Sequence, residues 1–106
     1  MIQRKDLLNA VINQPVGTVE IKEVTLEPGQ PVPKHFHACP VVGYIKSGSA
    51  LFQIEGYESM VLNEGEAFYE PKDKVILHFD NASQDRPLVF LAFYLKEGSE
   101  ENITLL

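Results

Sequence analysis

The chain's 106 residues make one domain, and a 44% hydrophobic content with six Phe and four Tyr is enough for one sizeable core. Its formal net charge of −6 is spread as single acids, so neither a nucleic-acid nor an anionic-membrane partner is expected. No run approaches the roughly 18 apolar residues of a spanning helix, residues 1–6 lack the apolar run of a signal peptide, and the single Cys39 leaves no intrachain disulfide, so a cytoplasmic protein is expected.

Residues 4–12 read as a short helix or an arm. From residue 16 the texture changes to short runs of β-branched and aromatic residues, at 19–26, 32–37, 41–46, 50–54, 59–62, 67–70, 75–80 and 88–95. Between them lie turn residues such as Pro28-Gly29, Ser47-Gly48, Glu55-Gly56 and Pro71-Lys72-Asp73. Turns recurring at this interval predict an antiparallel sandwich or barrel, not alternating βαβ units. No repeat or linker divides the chain. The expected layout is an arm or short helix over 1–15, a barrel over 16–97 and a tail over 98–106.

The run at 88–95, Leu-Val-Phe-Leu-Ala-Phe-Tyr-Leu, has no polar alternation and should be covered on both faces. One face can fill the barrel. A homodimer would cover the other; the alternative is that the N-terminal segment folds across it.

The chemistry concentrates in the three histidines. In a strand, residues i and i+2 project from the same face, so His35 and His37 stand side by side, as two imidazoles sharing a metal must. In the run 75–80, His78 shares a face with Ile76 and Asp80, and is the third ring that can converge on the pair. Three neutral imidazoles suit a divalent ion such as zinc, copper, nickel or iron and leave coordination positions open. Cys39 follows at the same spacing and either joins the pocket or packs as a small hydrophobe before Pro40. Gln53 and Glu55 alternate with Phe52 and Ile54 and are read as solvent-facing. Tyr44, Tyr69 and Tyr94 are read either as cavity-lining donors or as structural rings.

These residues fall on a known frame. Gly29, His35, His37 and Gly48 match a motif of glycine, five residues, His-x-His, a glutamate three or four residues on, and a final glycine. Gly65, Pro71 and the nearby Asn81 match parts of a second motif that carries a further histidine. In these features the chain resembles the cupin superfamily, in particular its small single-domain members. The resemblance implies an all-β double-stranded β-helix, or jelly-roll barrel.

Three positions depart from the frame. Val41 (or Val42 in the longer spacing) stands for the motif's glutamate, Asp73 for the glycine after the proline, and Ile76 for the last histidine. Val41 and Ile76 are therefore expected to line the pocket together with Cys39.

The resemblance further implies one divalent metal (iron, zinc, nickel, copper or manganese) on His35, His37 and His78, facing a small organic ligand. Dioxygenase-type oxidoreductase chemistry fits this set better than isomerisation, because no residue outside the histidines stands out as a general base. Two other readings are a non-catalytic binding or sensing barrel, and an interaction protein whose dimer surface is its working part.

Overall fold

A computed structural model describes all 106 residues. Nine strands form, in order β1 (Thr18–Leu26), β2 (His35–Phe36), β3 (Val41–Ser47), β4 (Ser49–Ile54), β5 (Met60–Asn63), β6 (Ala67–Glu70), β7 (Ile76–Asn81), β8 (Leu88–Lys96) and β9 (Thr104–Leu105). There is no helix, and none that could cross a membrane. The strands pair antiparallel in two sheets, ordered β1-β8-β3-β6 and β5-β4-β7-β2-β9, which enclose one core.

The crossing from β3 to β4 is made at a glycine. β3 and β4 belong to different sheets and are separated by Gly48 alone, at φ +87°. A Cβ there would lie 2.6 Å from the carbonyl oxygen of Pro87, so only glycine makes the crossing at this distance. Gly43, within β3, serves packing instead: a Cβ would meet the Phe68 ring at 2.1 Å and the Leu91 carbonyl oxygen at 2.5 Å. The missing side chain is the space Phe68 fills.

Strand β8 divides its run between two faces. Leu88, Phe90, Ala92 and Tyr94 are buried inside, while Val89, Leu91, Phe93 and Leu95 are half-covered outside. The inner row meets a stack of rings in which Phe79 lies 4.6 Å from Phe90, 4.9 Å from Phe68 and 5.7 Å from Phe52, in tilted and edge-on arrangements. Such contacts add to burial that already stabilises by roughly 1.5–3 kcal/mol per large side chain.

The N-terminal segment is an arm with no helical turn. Leu7 and Leu8 share an apolar groove with Val42, Tyr44, Leu91 and Phe93, so the arm covers part of the outer face of β3 and β8. The Gln14 side-chain amide donates to the Leu95 carbonyl at 3.3 Å, and the Gly17 N–H to that of Lys96 at 2.8 Å, fixing the arm's root. On β1, further along that face, Val19 and Ile21 remain 54% and 60% exposed.

Two elements differ from the sequence reading. The run at 32–37 pairs only at His35–Phe36, because Pro31 and Pro33 have no N–H for a ladder. Asp80 accepts the Val32 N–H at 3.2 Å instead. The segment read as a C-terminal tail returns as β9 and pairs with β2, His35 opposite Leu105 and Phe36 opposite Thr104.

Candidate metal centre

His35 lies on β2 opposite Ile76 of β7, and His37 lies just past the end of that strand. The turn carrying Asp73 holds it there, since the Asp73 N–H donates to the His37 carbonyl at 2.8 Å. Asp73 sits at φ 63°, where the resembled frame has glycine; aspartate is among the few residues that tolerate this left-handed conformation.

Both rings are oriented by main-chain carbonyls. Nδ1–H of His35 donates to the Pro33 carbonyl at 2.8 Å, and Nδ1–H of His37 to that of Asn102 at 2.6 Å. With Nδ1 occupied, each ring turns Nε2 inward. Carbonyl acceptors of this kind fix the tautomer and raise the ligating strength of the opposite nitrogen.

The third group is Glu70, which the sequence reading passed over. Its Oε2 lies 2.9 Å from Nε2 of His37 and 3.7 Å from Nε2 of His35, and all three side chains are buried. Only the shorter distance is a hydrogen bond. One donor atom from each residue falls within 4.8 Å of the other two.

Burial disfavours the charged carboxyl, but the two imidazoles outweigh that and hold Glu70 below the usual carboxylate range. Burial likewise works against protonation of His37, yet the hydrogen bond and attraction of Glu70 hold it above its ordinary value. Without metal each group thus favours the charged form of the other. Two imidazoles and one carboxylate on one side of an ion fit the open facial arrangement of mononuclear non-haem sites.

The register explains where the carboxylate comes from. Val41 of β3 lies directly opposite Glu70 of β6 and faces the same interior. Side chains so paired have Cβ atoms about 4.5–5.5 Å apart. The acid absent at 41 is thus present on the neighbouring strand. Val41 is the inward residue and Val42 the outward one, which settles the two spacings. Alternation also marked Glu70, because it shares the inner face of β6 with buried Phe68.

His78 is placed elsewhere. Its side chain is 47% exposed on the outside of β7, and Nδ1–H donates to Asp80 at 2.8 Å. The i, i+2 argument fails here because the pairing of β7 with β4 slips: Gln53 opposes His78 while Ile54 opposes Ile76. The extra residue, Leu77, is a bulge that reverses alternation, so Ile76 and Phe79 are buried and His78 is not. The structure brings together His35 and His37, and not His78.

Ile76 is fully buried opposite His35 and Cys39 is fully buried, but of the three expected pocket residues only Val41 lines the pocket, and Cys39 is not among the converging donors. Burial pushes the Cys39 thiol up, so it stays protonated at neutral pH. Asn81 is a structural latch: its amide donates to the carbonyls of Glu27 at 3.0 Å and Arg86 at 2.7 Å.

The donor atoms open on a pocket of about 110 Å³. Val24, Val32, Val41, Phe79, Phe90 and Ile103 supply most of its wall, and Tyr94 contributes a phenol whose pKa is pushed up to about 12 by burial and the charge of Glu70. A larger, open depression at Gly48, Ser49, Asn63 and Arg86 contains none of these donors.

Residues 22–94 match the family described as Cupin_2, cupin domain, which is more than half of the chain. The chain belongs to the cupin family. No match is found among curated proteins. Solved structures with a similar fold include a cupin protein from Bacteroides fragilis, 28% identical, with a TM-score of 0.65 over 84% of this chain and 75% of that one. The DMSP lyase DddQ from Ruegeria pomeroyi is 23% identical, with a TM-score of 0.71 over 82% of this chain. A Bacillus subtilis oxalate decarboxylase is 24% identical, with a TM-score of 0.72 over 84% of this chain. This cupin spans 42% of the lyase and 24% of the decarboxylase. The two enzymes share its fold.

Proposed function

We propose that this cupin binds one divalent transition-metal ion through His35, His37 and Glu70 and presents it to a small organic ligand. The observation carrying this reading is the convergence of three buried donor atoms within 4.8 Å, with both imidazoles already turned by carbonyls. Iron or manganese suits two imidazoles and a carboxylate, and the similar decarboxylase is described as having Mn(II) centres.

The bound ion would supply Lewis acidity and, for iron or manganese, redox chemistry on a ligand in its open positions. The protein's part is to orient the rings, supply one negative charge and exclude water with the aliphatic wall. Oxidation of a small substrate is the reaction class that asks least of other groups, since no further acid or base lines the pocket besides Tyr94. A second reading, binding without turnover, draws support from the same shortage.

The outer sheet face supports a homodimer, because Val19 and Ile21 stay more than half exposed beside a row of half-covered apolar residues on β8. Sedimentation of the full chain checks it, a dimer being expected.

The deciding experiment is elemental analysis after incubation with manganese, iron or zinc, on the wild type, Glu70→Gln and His78→Ala. Near-stoichiometric metal in the wild type and His78→Ala, lost in Glu70→Gln, is expected. Metal lost only in His78→Ala would refute the assignment.

A further inference from the structure

The pocket's charge and size define its ligand more narrowly than the metal reading on which this inference rests. Apart from His35, His37, Glu70 and the Tyr94 phenol, every lining residue is aliphatic or aromatic, and none is Lys or Arg. A divalent ion with the Glu70 carboxylate and two neutral imidazoles has a formal charge of +1. One coordinated monoanion brings the site to zero.

A second negative charge, whether on the ion or against the wall, would leave the site at a net −1 with no Lys or Arg lining it. Uncompensated negative charge within such a wall is unfavourable. The pocket is also small, about 110 Å³, which suits a short chain.

We infer that the pocket takes a short-chain monocarboxylate, with its single carboxylate on the metal and its alkyl body against the aliphatic wall, and rejects dicarboxylates. The alkyl group needs only the wall already present. Ile103, 40% exposed on the segment before β9, stands at the pocket's accessible side and is where a missing cation can be introduced.

The test compares propionate with malonate, in which a terminal methyl becomes a second carboxylate. The full chain is loaded with Co²⁺ and freed of excess, and each anion is titrated at pH 7.5 while the visible bands of the bound cobalt are followed. Propionate is expected to shift the bands saturably, with malonate at least tenfold weaker. In Ile103→Lys, malonate should gain at least tenfold relative to propionate. Cobalt uptake with malonate equal or tighter, or with neither anion shifting the bands, overturns this inference and leaves the metal site standing. No cobalt uptake overturns both.

Discussion

Exchanging the residues at 41 and 70 tests whether the carboxylate has moved between strands. Glu70→Val removes the acid 2.9 Å from His37 and leaves two imidazoles. Loss of a mere outer partner of a ligand lowers metal affinity 10–100-fold, so loss of a direct donor should cost at least about 100-fold, or about 2.8 kcal/mol. Val41→Glu combined with Glu70→Val returns one acid to the same interior from the opposite residue of the ladder, with a Cβ displaced by about 5 Å. A carboxylate on either strand reaches past the midpoint of that distance, so both can approach the two imidazoles.

The double variant should therefore recover at least tenfold of the lost affinity. Val41→Glu alone sets two carboxylates facing each other, so its metal-free form should melt below the wild type and gain more on metal addition. Competition with a chromophoric chelator gives the affinities, and thermal melts of the metal-free proteins show that each variant is folded. Glu70→Val within threefold of wild type would show that Glu70 is no ligand. A double variant as weak as Glu70→Val would refute the cross-strand equivalence.

Four further outcomes are expected. Metal-free stability should be greatest between about pH 4.5 and 6.5 and fall on both sides: the raised pKa of His37 adds stability that is full below 6.5 and lost as pH rises through its folded value, while the lowered pKa of Glu70 adds stability that is present above 4.5 and lost as pH falls through its folded value. Urea midpoints across pH measure this, and a monotonic profile would contradict it. Deleting residues 98–106 removes the Asn102 carbonyl that orients His37 and should lower metal affinity 10–100-fold, read by the same chelator competition. Phe79→Ala should destabilise by about 3–5 kcal/mol in urea denaturation, because Phe79 touches three other rings in the buried stack. Gly43→Ala should cost about 1–3 kcal/mol or more, because its Cβ would overlap both a ring and a main-chain oxygen; an unchanged midpoint would show that β3 shifts freely.

The strand pattern was legible along the chain because each run is short, alternates and ends at turn residues, and β3, β4, β6, β7 and β8 fall within two residues of where that pattern puts them. The His35–His37 pair was legible too, since side chains two apart share a face wherever no bulge intervenes. β9 was not. It is two residues long and exists only through its pairing with β2. Nor was the outward placement of His78, because a single bulge at Leu77 reverses the side chains of β7 on either side of it and no residue there announces the slip. Glu70 and Val41 are 29 positions apart and become equivalent only when β3 and β6 pair. Local periodicity thus decided which residues face inward along the strands that run without a bulge. Register between strands, which depends on long-range hydrogen bonding, decided which inward residues meet.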